Sequence, residues 1–122
     1  MNLLTGRFEI VDGKSVFRTH QGVILPLPEN APKLSSVEGV YGIRPEYFCL
    51  SSENAGIPAR VVVVEPLGSE THVTATVGEQ TIVTVFHDRL SIEPEETIWL
   101  QPRTERICLF DATGKRLTGN MA

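Results

Sequence analysis

The chain has 122 residues, of which 41% are hydrophobic, and it carries 11 basic and 15 acidic side chains, for a formal net charge of −4 at pH 7. A chain of this length is expected to form a single domain, residues 1–122, that buries roughly two-thirds of its unfolded surface. The acidic balance excludes a strong electrostatic match to nucleic acid, because binding to phosphates rests on clustered positive charge. We therefore expect no nucleic-acid partner.

The two cysteines, Cys49 and Cys108, are far apart, and each lies in an apolar stretch. They are predicted to be buried free thiols, which is typical of a reducing compartment. No apolar run reaches the roughly 18 to 20 residues that a membrane helix needs, and the first residues do not have the pattern of a signal peptide. These features favour a cytosolic protein.

The first half of the chain is predicted to contain short strands separated by turns. Arg7–Val11 and Ser15–Arg18 flank the dipeptide Asp12-Gly13, a strong hairpin signal. The elements predicted after this hairpin are a strand at 22–25, a proline-rich loop at 26–32, a strand at 36–44 that stops at Pro45, at most one helical turn at 46–48, and a surface loop at 51–58.

Residues 59–78 are predicted to form the central hairpin of the fold. Arg60–Glu65 is a β-branched apolar run, typical of a strand covered on both faces, and Thr71–Val77 alternates apolar and polar side chains with His72 facing outward. Proline and glycine at 66 and 68 predict that the chain leaves the sheet at Glu65 and returns near Thr71. The residues of this tip, which we predict to be an interaction turn, are Leu67, Gly68, Ser69, Glu70 and Thr71.

The second half continues the same pattern of short strands. Its predicted elements are a strand at 81–86, a polar crossing at 87–96, a strand at 97–101 that ends at Pro102, a strand at 107–110 and a turn at 111–114. No apolar helical period is sustained over ten residues. The chain is therefore predicted to be all-β, a barrel or sandwich of short antiparallel strands with little or no helix.

No catalytic or metal-binding motif is complete in the sequence. Gly13-Lys14-Ser15 matches the end of a phosphate-binding P-loop, but Phe8 stands where the first glycine belongs, and a hairpin replaces the required helix. The three histidines lack the spacing of metal ligands, no G-x-S-x-G elbow occurs, and the acidic residues at 93–96 lack the calcium-loop pattern. We expect no enzymatic activity, cofactor or metal in this chain.

Three stretches in order resemble a known family: Gly42-Ile43-Arg44-Pro45-Glu46, then Val64–Thr71, then Leu109-Phe110-Asp111 with Thr113–Leu117. Together they look like the C-terminal regulatory domain of ATP-binding subunits of bacterial importers of the maltose type, which carry sugars or glycerol phosphate. That domain is a transport-associated OB-like (TOBE) domain. The departures from the family pattern are at Tyr47, His72 and Ile107-Cys108.

The resemblance implies an OB-like fold that sits below an ATPase domain, in the cytoplasm, at the inner face of the cell membrane. It implies that ATP and magnesium bind in that ATPase domain, whose Walker and signature motifs do not occur in this sequence. The implied partners are a second copy of the chain, the ATPase domain of the same subunit, the membrane permease subunits that the full-length subunit contacts, and regulatory proteins.

Two classes of function follow, a regulatory and dimerisation domain or a module that senses a small sugar or oxyanion. The acid at Glu70 favours the first, because it would repel an oxyanion. Val83, Val85 and Trp99 lie out of phase with the core residues of their strands, so this second apolar face needs a cover. A partner subunit would make these residues the dimer face, and a sandwich would instead cover them internally. Arg44 is expected either to pair with Glu46 or Glu70 or to remain solvated.

The missing phosphate-binding motifs predict that the purified chain does not bind nucleotide. When the chain is added to a fluorescent ATP analogue up to millimolar concentration, the anisotropy of the analogue should show no saturable change. A protein with an intact P-loop, measured in parallel, should give a change that saturates. Micromolar binding to this chain would contradict the prediction.

Overall fold

A computed structural model of the chain describes residues 1–52, 54–88 and 90–117. It contains two compact units, each built on one antiparallel five-stranded sheet. The terminal unit comprises Met1–Ile43 and the chain from Thr104 onward, and the central unit comprises Arg44–Arg103. The assignment of residues 1–122 to one domain stays a prediction.

Ten strands account for most of the described residues. In chain order they are β1 (Asn2–Val11), β2 (Lys14–Thr19), β3 (Ile24–Pro26), β4 (Val37–Ile43), β5 (Phe48–Leu50), β6 (Ile57–Leu67), β7 (Glu70–Val77), β8 (Gln80–Phe86), β9 (Thr97–Pro102) and β10 (Cys108–Asp111). Two 3₁₀ turns, Pro45–Tyr47 and Thr104–Arg106, are the helical elements among these residues. The predicted all-β, OB-like fold with little helix is confirmed.

The terminal unit orders its strands β10-β4-β1-β2-β3. The predicted hairpin is present: Asp12 and Gly13 both have positive φ, as a two-residue type I′ turn requires, and they join β1 to β2. Aromatic rings fill the buried face, where the Phe17 ring lies 5.1 Å from Phe8 and 5.4 Å from Tyr41, centroid to centroid. Burial raises the pKa of the Tyr41 phenol, which donates a 2.7 Å hydrogen bond to the Pro26 carbonyl.

The central unit orders its strands β5-β9-β6-β7-β8. Its edge strands β5 and β8 also approach each other, so the sheet curls as in an OB-like barrel. Alternate residues of each strand face a common apolar interior; its buried side chains are Phe48, Ile57, Ala59, Val61, Val73, Ala75, Val77, Ile82, Phe86, Ile98 and Leu100. The other side of every strand forms what we call the outer face.

The valine run in β6 differs from the prediction. We expected Arg60–Glu65 to be covered on both faces, but Val62 and Val63 are 49% and 44% exposed. A β-bulge between Val61 and Val63 breaks the alternation, so the chain turns consecutive valines toward solvent. The strand also continues to Leu67 instead of leaving the sheet at Glu65, because Pro66 still pairs with Thr71 across the hairpin.

Two other expectations are corrected. The segment at 48–50 forms the short strand β5 beside β9, which the sequence reading did not include. The cysteines are free but not buried, since Cys49 is exposed and Cys108 is half-buried. Strand alternation accounts for Cys49, because it places this residue opposite Gln101 on the outer face. The predicted loops at 51–58 and 87–96 include Glu53 and Arg89, which lie outside the described residues.

Membrane-spanning helices are absent from the part of the chain that the structure describes, where no helix is both long and apolar enough to cross a bilayer.

Two glycines in the terminal unit make room for the aromatic rings. Gly6 and Gly39 pair directly across β1 and β4. A Cβ built on Gly39 would overlap the Phe8 ring, with its nearest carbon at 2.2 Å, and one on Gly6 would overlap the Arg18 carbonyl oxygen at 2.2 Å. A side chain at either position requires the core to shift.

We predict that Gly39→Ala lowers the free energy of unfolding by at least about 2 kcal/mol, because overpacking a rigid ring and backbone is costly. Gly42→Ala on the same strand is the matched control. Its nearest contact, at 2.8 Å, is the sulfur of the exposed and flexible Met1 side chain, so its loss should stay under about 1 kcal/mol. Urea denaturation of both variants measures this, and equal losses would contradict the packing argument.

Candidate functional site

The outer face of the central sheet carries the polar and apolar groups from which a site can be built. Cross-strand register places Val63, Thr74 and Val83 in one row, because each strand pairs residue against residue with the next. The adjacent row contains Glu65, His72 and Val85. The first row is largely apolar and the second combines an acid, an imidazole and a valine.

A carboxylate lies between two imidazoles next to the second row. Glu70 Oε1 is 3.0 Å from His72 Nε2, and Glu70 Oε2 is 3.4 Å from His87 Nδ1. All three side chains are partly exposed. We call this group the Glu70 cluster. Among the described residues, no group of three or more His, Cys, Asp or Glu side chains is arranged to hold a metal ion.

The predicted interaction turn is a tight hairpin whose polar residues are partly held by the sheet. Gly68 and Ser69 form the turn, and the positive φ of Gly68 at its first position fits a type II′ hairpin. Leu67 ends β6 with 53% of its surface exposed. Glu70 and Thr71 belong to β7 rather than to the turn, so the turn itself is shorter than predicted.

Thr71 ties this hairpin to the chain that follows β8. Its side chain is buried, and its hydroxyl donates a 2.7 Å hydrogen bond to the carbonyl of Asp88. Beside it, a cleft of about 430 Å³ is lined by Pro66, Gly68, Thr71 and residues 90–91. The position of the tip therefore depends on the segment after β8 as well as on β6.

The structure brings together two of the three residues of the candidate dimer face. Val83 and Val85 follow each other on the outer face of β8. Trp99 also points outward, opposite Pro58, but it lies on β9, with β6 and β7 between. Three strand spacings correspond to about 14 Å along the sheet. Trp99 borders a separate cleft of about 540 Å³ with Leu50, Ser51 and residues 96–98.

The first resemblance stretch, residues 42–46, covers the end of β4 and the start of the 3₁₀ turn that follows it. Gly42 and Ile43 end β4, and a Cβ on Gly42 would come within 3.3 Å of the Phe110 ring, so this stretch meets the third one. Pro45 begins the 3₁₀ turn with Glu46, and the carbonyl of Arg44 accepts a hydrogen bond from Tyr47 N–H. Arg44 is exposed and makes no ion pair with any described carboxylate, which agrees with the solvated alternative.

The third stretch contains a carboxylate that organises its own turn. Asp111 Oδ1 accepts hydrogen bonds from the hydroxyl and the N–H of Thr113 and from the N–H of Lys115. The Thr113 hydroxyl, and then the Lys115 N–H, hold the pKa of this carboxyl below its usual value. Its hydrogen bonds are thus local, and they shape the turn after β10.

A protein-family profile, that of the TOBE domain, matches residues 41–110. The chain belongs to the TOBE domain family. The match includes the whole central unit, together with the end of β4 and most of β10.

Curated proteins are also similar to this TOBE domain. An uncharacterized ABC transporter ATP-binding protein, y4oS of Sinorhizobium fredii, is 43% identical over 98% of this chain and 32% of its own length. The sn-glycerol-3-phosphate import ATP-binding protein UgpC 2 of Agrobacterium fabrum is 36% identical over 96% of this chain and 31% of its length. The sn-glycerol-3-phosphate import ATP-binding protein UgpC of Escherichia coli K12 is 32% identical over 96% of this chain and 33% of its own length. The chain spans about a third of the length of these relatives.

The sequence reading missed the Glu70 cluster and the exposed valines of β6. Period-two alternation correctly predicted that His72 faces outward. Its contact with Glu70 follows from that alternation, because residues 70 and 72 share a face of β7. The contact with His87 depends on the path of the chain beyond β8, for which no local sequence signal exists.

We predict that Thr71→Val destabilises the TOBE domain by about 1 to 2 kcal/mol, because the buried Thr71 side chain loses the part-buried hydrogen bond that ties the hairpin to the Asp88 carbonyl. Thr76→Val, on the same strand but on the half-exposed outer face, is the control and should change stability by less than about 0.5 kcal/mol. Chemical denaturation compares the two, and a neutral Thr71→Val would show that this hydrogen bond does not hold the hairpin.

Proposed function

We propose that this chain is the regulatory and dimerisation domain of the ATP-binding subunit of a bacterial ABC importer. Membership of the TOBE family supports this role, as does similarity over nearly the whole chain to ABC transporter ATP-binding proteins. ATP and magnesium would bind in the ATPase domain of the same subunit, and this domain itself would be non-catalytic.

The proposed transport substrate is a sugar or glycerol phosphate. The family resemblance favours both, and glycerol phosphate is also favoured by relatives at 32% to 36% identity that are named as sn-glycerol-3-phosphate import proteins. The subunit would work in the cytoplasm against the inner face of the membrane, where it would contact the permease subunits. Regulatory proteins are proposed to dock at the interaction turn, Leu67–Thr71, which presents the exposed Leu67 beside a cleft.

The proposed dimer face centres on Val83 and Val85. This proposal is supported by the apolar row on the outer face, in which Val63 and Val83 lie on either side of Thr74 and are 44% and 37% exposed. A stable interface usually buries on the order of 1,600 Å² in total, with an apolar centre and a polar rim. The apolar row can supply the centre, and the neighbouring acid and histidine side chains can supply the rim. Trp99, on β9, is proposed to lie at the periphery.

We expect the purified chain to be a dimer by light scattering at tens of micromolar, and Val83→Glu to make it monomeric, because a charge would be buried at the apolar centre. Ile24→Glu is the control, since Ile24 is comparably exposed, at 44%, but lies in the terminal unit. A wild-type monomer near 13.5 kDa would refute pairing by this domain, and a Val83→Glu dimer would refute this face.

A second function, sensing of a small sugar or oxyanion, is favoured by the cleft beside Trp99. An aromatic side chain near Ser51, Glu96 and Thr97 offers an apolar surface with hydrogen-bonding groups at its edge. Isothermal titration with simple sugars, glycerol phosphate, sulfate and molybdate, repeated on Trp99→Ala, tests it. Saturable binding that the variant loses would establish a sensor, and no heat from any compound would leave pairing as the function.

A further inference from the structure

The Glu70 cluster lies on the proposed dimer face rather than beside it. His72 pairs with Val85 on one side and with Glu65 on the other, so it stands in the row next to Val63 and Val83. Its imidazole is 32% exposed and 3.0 Å from the Glu70 carboxylate. A second copy that covers Val83 and Val85 must therefore also cover His72.

The charge of this face depends on its two histidines. Around the two histidines stand Glu65 on β6, which pairs with His72, Glu70 on β7, which contacts both imidazoles, and Asp88, which lines the same cleft as His87. Glu46 and Arg103 share a cleft with His87 and carry opposite charges. With both imidazoles neutral, the three carboxylates at 65, 70 and 88 give the group a charge of −3. With both protonated, the charge is −1.

In a symmetric dimer, this charge is present on both copies. Because an isologous interface brings the same patch from each copy together, like charges on the patch face each other. Covering Glu70 also removes water from its carboxylate, which costs less when a cation stays beside it. Histidine is the side chain whose charge ordinarily changes between pH 5 and 8.

We propose that His72, paired with Glu70, is an interface residue of the dimer and that its protonation tightens the pairing of two copies. Protonation lowers the charge that each copy presents from −3 to −1 and leaves a cation beside the Glu70 carboxylate, so two copies repel each other less. This inference rests on the proposed dimerisation through Val83 and Val85. It adds a regulatory input, the cytoplasmic pH, to that contact.

The test is sedimentation equilibrium of the 122-residue chain at pH 6.0 and 8.0, at constant low ionic strength to limit screening. We expect the dimer to be about tenfold tighter at pH 6.0, as proton uptake on association requires. His72→Gln should reduce this ratio to about threefold or less. Glu70→Gln, a second variant, should tighten the dimer at pH 8.0 and also reduce the ratio.

The chain offers a matched control in His20. Its Nε2 lies 3.2 Å from Glu38 Oε1, a similar histidine–carboxylate pair, but on the terminal unit. His20→Gln should keep the tenfold ratio. Circular dichroism at both pH values checks that each variant is folded.

The outcomes separate this inference from the function on which it rests. A dimer of equal strength at both pH values, or a ratio that His72→Gln and Glu70→Gln leave unchanged, overturns the inference and leaves the dimerisation proposal standing. A chain that is monomeric at both pH values overturns both.

Discussion

The constraint on which the central unit depends is the register of β7 against its two neighbours. Two-residue turns close β7 at both ends, and each begins with a glycine of positive φ, Gly68 and Gly78. Because a two-residue loop leaves no freedom to slip, the turns decide which residues stand opposite each other on three strands. A slip of one residue would turn Val73 and Val77 out of the core and His72 into it. The buried interior and the outer face are therefore specified together.

The bulge in β6 is the place where this regularity is broken, and it has consequences for the surface. Up to Val61 the strand alternates as its neighbours require, with Val61 buried against Ala75. The extra residue, Val62, is not paired with any residue of β7, so Val63 takes the outward position across from Thr74. Bulges re-aim side chains at sheet edges. Here the effect is that Val62 and Val63 are both exposed, whereas a regular strand would turn only one of them outward, and the apolar outer surface is larger as a result.

Much of this architecture was readable from the sequence, and the reasons differ between elements. Alternation in β7 and the Asp12-Gly13 turn are local signals, so the hairpins and the outward position of His72 were predicted correctly. The valine run was misread because a continuous β-branched stretch has the same composition whether a bulge interrupts it or both of its faces are covered. β5 is three residues long and is stabilised by pairing with β9, which is about fifty positions away, so no local pattern marks it. The Glu70 cluster combines a local contact with one set by the chain beyond β8, and the second could not be predicted.

The geometry of β6 also bears on how two copies can meet. β9 pairs with β6 only from Ile57 to Arg60, and beyond the contacts of Val61 with residues 95 and 96 no described strand lies on that side of β6. An open edge is a ready place for another chain to add as a strand. Pro66 lies in this stretch, however, and has no N–H to donate, and Glu65 beside it places a charge on this edge. Proline and charge are the features by which natural sheets protect an edge. Association through the edge of β6 is therefore disfavoured by the residues that occupy it. The outer face, where Val63 and Val83 are exposed and Val85 is half-buried, is the surface to which the proposed pairing is assigned instead.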